Sequence, residues 1–201
     1  MKITFLALVL LFALSTKASR LEAAGPTPKE VFDTSGKKLR AGAQYYIVPA
    51  SPDVGGGLGL NRTRKACPLD AVAVDGNRGL PLVFTPVNPK KGVVRVDTDL
   101  NIYFATETSC PQSNVWKVDY FDSATEQLFV TTGGVLGDPG LETIRNWFKI
   151  ETYEDAYKLN YCPSVCYGCY HQCLDIGIYE DQYGKRLVVD DFPFKVRFQL
   201  T

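Results

Sequence analysis

Beyond about residue 45 the chain reads as short runs in which apolar and polar residues alternate. Val115-Trp116-Lys117-Val118-Asp119-Tyr120 is the clearest, with the two-residue period of a half-buried strand. The same reading predicts strands over residues 45–48, 82–84, 93–96, 100–104, 115–120, 128–132, 147–150, 157–161, 176–179, 186–189 and 194–198. Gly and Pro clusters separate them, at 55–57, 133–134 and 137–140, where tight turns are expected. The one helical candidate, residues 140–147, amounts to a turn or two. The chain is therefore expected to be all-β, a closed sandwich or barrel in one domain. Aromatic strands at 45–48, 116–120 and 157–161 suggest a threefold rhythm.

The N-terminus departs from this pattern. Lys2 precedes an apolar run over residues 3–14, and small residues follow at Ala18, Ala23 and Ala24. That is the layout of a signal peptide, and the run is too short to span a bilayer. Residues 1–24 are assigned to the leader and 25–201 to the mature domain, which is expected outside the cell or in the vacuole. The 22 basic and 22 acidic residues cancel, leaving no long-range field for nucleic acid or an anionic membrane. Neither is an expected partner, and a monomer is expected.

Six cysteines in an exported chain point to disulfides. Spacing alone leaves fifteen pairings of Cys67, Cys110, Cys162, Cys166, Cys169 and Cys173. The last four, with His171 beside them, could also form a zinc site, a chemistry that belongs to reducing compartments. No cofactor or metal is expected. Asn61-Arg62-Thr63 is a glycosylation acceptor, expected in a polar surface loop. Nucleophilic triads need a histidine, and the single one, His171, sits in the cysteine-rich segment. The chain is read as a binding protein and not an enzyme.

Specific segments carry a family likeness. Val31-Phe32-Asp33-Thr34-Ser35-Gly36-Lys37-Lys38-Leu39, then five residues and Tyr45-Tyr46-Ile47, resembles the N-terminal signature of plant Kunitz (soybean trypsin inhibitor-type) proteins. Ser35 departs from its usual residue types. Asn88-Pro-Lys-Lys-Gly-Val-Val-Arg-Val, Thr98-Asp-Leu-Asn-Ile, Asn146-Trp-Phe-Lys-Ile and Tyr161-Cys-Pro-Ser-Val-Cys are similar to the miraculin-like branch. The resemblance implies a twelve-stranded, pseudo-threefold β-trefoil. It also implies the pairing Cys67–Cys110, Cys162–Cys173 and Cys166–Cys169.

The resemblance further implies protease inhibition by a stiff, substrate-like loop. The matching loop is residues 86–92, with Pro86 and Pro89 stiffening an extended segment and Lys90 or Lys91 suited to the pocket of a trypsin-like serine protease. Pro89, Lys90, Lys91 and Gly92 form its tip. Two departures oppose this. Ala41 stands where inhibitors carry a loop-bracing Asn, and Gly92 follows Lys91 where flexibility works against the mechanism. The alternative is a non-inhibitory extracellular, storage or ligand-binding trefoil. The acid-switched, taste-modifying behaviour of one member of that branch is not expected. Pro52-Asp53-Val54 replaces its histidine, and Thr152 its inter-chain cysteine.

Overall fold

A computed structural model describes residues 27–51, 56–63, 66–169 and 172–201. The expected leader, residues 52–55 and His171 lie outside the described residues. Twelve strands follow one another: β1 (Gln44–Pro49), β2 (Leu58–Asn61), β3 (Asp70–Ala73), β4 (Leu82–Pro86), β5 (Leu100–Phe104), β6 (Lys117–Val118), β7 (Val130–Thr131), β8 (Lys149–Tyr153), β9 (Ala156–Tyr161), β10 (Leu174–Asp181), β11 (Gly184–Asp190) and β12 (Val196–Leu200).

Six of them close a barrel. β1 pairs with β12 and β4, β4 with β5, β9 with β8 and β12, all antiparallel. The remaining seam, between β5 and β8, is closed by a bridge in which Leu100 and Phe148 exchange main-chain hydrogen bonds of 2.9 Å each. The other six strands form three hairpins, β2–β3, β6–β7 and β10–β11. Pairing of β3 with both β7 and β11, and a Phe129–Val188 bridge, joins the hairpins to one another. Each four-strand unit thus contributes barrel, hairpin, barrel, which is the β-trefoil.

Alternation fills the barrel. Ile47, Leu82, Phe84, Leu100, Ile102 and Phe198 are fully buried. Phe84 lies with its ring centroid 5.3 Å from Phe198, an edge contact that suits aromatic quadrupoles, and 6.3 Å from the tilted ring of Tyr45. Under the hairpins the buried cation Arg186 bonds Asp181 at 2.5 Å and stacks 3.6 Å over Phe129. Such a buried charge is tolerated because it is paired.

The first and third units carry the aromatic rhythm where the sequence places it, in β1 and β9. The second does not: residues 116–120 lie at β6, in a hairpin, and the barrel strand equivalent to β1 is β5. Residues 93–96 form isolated bridges (Arg40 to Val93, Glu30 to Arg95) and no strand. β2 escapes the hydrophobic pattern because Gly57 and Gly59 interrupt it, and β3 because it is only four residues long. A Cβ on Gly57 would sit 1.9 Å from the Arg78 carbonyl oxygen, and one on Gly79 2.0 Å from that of Leu58. The glycine cluster thus serves close backbone contact as well as turning. Residues 141–146 form a short 3-10 helix.

The disulfides join Cys67 to Cys110, Cys162 to Cys173 and Cys166 to Cys169. With sequence separations of 43, 11 and 3, chain entropy gives roughly 4, 3 and 2 kcal/mol. The last four cysteines are consumed in bridges, which removes zinc ligation. Replacing Phe84 by Ala should cost about 3–5 kcal/mol of unfolding free energy in urea denaturation. A cost below about 1 kcal/mol would contradict the placement of this ring at the barrel centre.

Candidate functional site

The connection from β4 to β5 leaves the barrel at Pro86, which is buried, and returns at Asp99. Between them Val87, Asn88, Pro89, Lys90, Lys91 and Gly92 are exposed. Pro89–Lys91 form one turn of 3-10 helix with no buried residue. Pro89 suits its start, since its fixed φ is helical and it has no N–H to satisfy. Gly92 ends the turn in the left-handed region at φ 66, and its N–H donates to the Pro89 carbonyl at 3.0 Å. The extended conformation expected of this loop therefore does not hold at its tip. Lys90 and Lys91 lie on a curled turn, because left-handed Gly92 caps it.

The arms of the loop are held by main-chain bonds. On the leading side Val87 N–H donates to the Asp99 carbonyl at 2.8 Å, and Gly42 N–H to the Phe84 carbonyl at 3.1 Å. On the returning side Ala41 N–H donates to the Gly92 carbonyl at 3.2 Å, and Val94 N–H to the Leu39 carbonyl at 2.9 Å. Ala41 has no side chain to reach the loop, yet its backbone grips it. The hydroxyl of buried Tyr45 accepts from Arg40 N–H at 3.0 Å and so holds the gripping segment against β1.

A cleft of about 140 Å³ runs beside the turn, lined by Pro28, Val87, Asn88, Lys91, Val93 and Arg95 among others. Arg95 donates to the Pro28 carbonyl at 2.8 Å and pairs with Glu30 at 3.2 Å. Lys38 pairs with the same carboxylate at 2.8 Å. The Lys38 hydrogen bond, helped by the charges of Lys38 and Arg95, holds the Glu30 carboxyl below its ordinary value against the opposing effect of desolvation.

Two buried polar residues that the pattern of strands does not single out anchor the surroundings. Asp99 is 6% exposed; its carboxylate accepts from Ser164 N–H at 2.9 Å and from the Ser164 hydroxyl. Asn101, fully buried, donates to the Asn146 carbonyl at 2.8 Å and accepts from Gly137 N–H at 2.7 Å. Two residues apart on β5 and its lead-in, they share one face. The sequence signal for them is a polar residue at every second position beside Leu100 and Ile102. Asn61 is the exposed last residue of β2 rather than part of a loop, and the Thr63 hydroxyl is bonded to Asp70. Thr152 pairs with Tyr157 inside the β8–β9 ladder. Among the described residues no group of His, Cys, Asp and Glu could hold a metal ion.

Residues 31–200 match the family model described as trypsin and protease inhibitor, Kunitz legume type. The chain is 48% identical to miraculin of Synsepalum dulcificum, with 90% of this chain and 87% of that protein aligned. It is 37% identical to Kunitz trypsin inhibitor 5 of Arabidopsis thaliana, over 84% of each. Its fold superposes on the Kunitz-type cysteine protease inhibitor from potato with a TM-score of 0.78 and 34% identity, covering 87% of this chain and 98% of that one.

The depressed carboxyl of Glu30 makes an acid-limb prediction. A carboxyl lowered by folding stabilises the fold above its unfolded value, 4.5, and that stabilisation is lost as pH falls through the folded value. Below pH 4.5 the melting temperature of the native protein should therefore fall more steeply than that of Glu30→Gln. Parallel curves would show that the pair with Lys38 and Arg95 contributes nothing.

Proposed function

The chain belongs to the Kunitz family of plant protease inhibitors, and from that premise we propose that it is an exported inhibitor of trypsin-like serine proteases, acting as a monomer through residues 86–92. The observation that carries this reading is an exposed lysine pair on a turn whose two arms are both tied to the barrel. Lysine suits a primary pocket that carries a carboxylate. Lys90 is the better candidate for it. With Lys91 in the pocket, left-handed Gly92 at φ 66 would follow the attacked bond, where a protease groove takes extended chain.

Cleavage between Lys90 and Lys91 would free two ends that the scaffold still holds. The leading end stays on Asp99 through Val87, and the returning end on Ala41 through Gly92. The new amine and acyl group remain adjacent, so religation competes with release. Fixing the loop in advance also lowers the entropy lost on binding.

The curled tip sets a limit. An extended fit breaks the Gly92-to-Pro89 and Lys91-to-Asn88 hydrogen bonds of 3.0 and 3.4 Å. At about 1 kcal/mol each, this weakens binding roughly thirtyfold relative to a loop already extended. The same curl favours a second reading, a trefoil that keeps the scaffold without inhibiting, and miraculin and a 21 kDa seed protein of Theobroma cacao stand among the relatives. Exposed Asn61 supports an N-linked glycan in the exported protein.

Titration of trypsin with the mature protein separates the two readings. Inhibition should be stoichiometric, and Lys90→Ala combined with Lys91→Ala should weaken it roughly a thousandfold, the scale of a lost hot-spot residue. Undiminished inhibition by the double variant would place the contact elsewhere. No inhibition of trypsin, chymotrypsin, subtilisin or papain at micromolar excess would leave the non-inhibitory reading.

A further inference from the structure

The doubly bridged segment after β9 is joined to the lysine loop through one residue. Cys162 and Cys166 begin two nested disulfides, to Cys173 and Cys169. Ser164 lies between them, exposed, with both its N–H and its hydroxyl on the Asp99 carboxylate. The carbonyl of the same Asp99 receives the N–H of Val87, at the start of the exposed turn, at 2.8 Å. Asp99 is thus gripped by the clip through its side chain and grips the loop through its main chain.

We propose that Asp99 is a positioning residue for the lysine loop, fastening its leading arm to the disulfide clip in place of the side-chain brace that Ala41 lacks. The proposal deepens the inhibitory reading and rests on it for its consequence in binding.

Three features support it. Asp99 is buried and the residue just before β5, so its carbonyl direction follows from how that residue is held. A carboxylate accepting two hydrogen bonds from one residue is strongly directional, and bonds to a charged acceptor are the stronger kind. Finally, Ser164 is held between cysteines of both bridges, so the grip ends on a segment that cannot drift. The returning arm has separate ties, through Ala41 and Leu39. Loosening Asp99 should therefore free one arm and leave the other in place.

Position can be separated from stability by reading the loop and the whole fold side by side. Three variants serve: Asp99→Ala, Asp99→Asn and Ser164→Ala, together with the Asp99→Ala/Ser164→Ala pair. Ser164 is exposed, so its variant should fold even where Asp99→Ala does not. Two loop readouts apply, amide exchange at Val87 and the rate of trypsin cleavage at Lys90 or Lys91 by mass spectrometry. Exchange at Ile102, in the middle of β5, reports the barrel.

Ser164→Ala should speed loop cleavage and Val87 exchange roughly tenfold, the factor for one lost charge-assisted bond, and Asp99→Ala, which loses the backbone bond as well, by more. Asp99→Asn, which keeps the shape and an acceptor, should lie between them and the native protein. The pair should add little to Asp99→Ala alone, which already removes both bonds to Ser164. Ile102 exchange should change far less than Val87 exchange. Loop rates equal to the native rates in Ser164→Ala, or a rise in Val87 exchange matched at Ile102, would overturn the proposal. If the native protein does not inhibit trypsin, the inhibitory reading fails, while Val87 exchange still decides whether Asp99 positions the loop.

Discussion

The two hydrogen bonds between Leu100 and Phe148 close a seam that the strand ladders leave open. Without them β5 would keep its ladder to β4 and, on its other side, only the bridge of Tyr103 to Val115, beside which Trp116 N–H donates to the Ile102 carbonyl at 2.8 Å. With them it is a stave of a barrel, its face toward the core filled by Leu100, Ile102 and Phe104. The opposite face then becomes available for polar work. Asp99 and Asn101 occupy it, one holding the clip after β9 and the other the loop after β7. The lysine loop is tied to the start of this strand where Val87 N–H meets the Asp99 carbonyl. Its position is therefore a consequence of barrel closure, transmitted through a buried strand rather than through the loop's own side chains.

The same logic explains how the fold tolerates Ala41. A side-chain brace at that position would add hydrogen bonds from residue 41 into the loop. Here residues 39–42 contribute main-chain bonds to Gly92, Phe84 and Val94, which depend on conformation and hardly on residue identity. Tyr45 fixes that segment from β1. Tyr157, the aromatic at the start of β9, makes the equivalent bond to Phe32 N–H at 3.0 Å. Two tyrosines, each the second residue of its strand, thus hold the N-terminal arm against the barrel by their hydroxyls, which satisfies the polar end of buried Tyr45 and half-buried Tyr157.

Most of the architecture is legible in the sequence because barrel strands must alternate to fill a closed core. β5 is read at its observed bounds, and β4, β9 and β11 at nearly theirs. β2 and β3 are not legible, since each has only four residues and β2 lies among glycines, of which Gly57 and Gly79 sit where backbone approaches closely and Gly59 against the Val74 side chain. Residues 93–96 mislead for a related reason: Val94 and Val96 are buried, but their neighbours are single bridges to the N-terminal arm. At the site, the lysine pair is visible as residue types, and its curl is not. The turn depends on Gly92 adopting a left-handed conformation, which glycine permits but does not require. Asp99 and Asn101 are visible only as polar positions, because their partners lie 65 and 45 residues away.

Hydrogen exchange on the mature protein, with and without a trypsin whose nucleophile has been removed, decides whether the barrel presents residues 86–92 to a protease. If it does, protection concentrates at Val87, Asn88, Lys90, Lys91 and Gly92, with the hairpin strands β2, β3, β10 and β11 unchanged. Protection confined to the hairpins, or none at a trypsin concentration in the micromolar range, would contradict it.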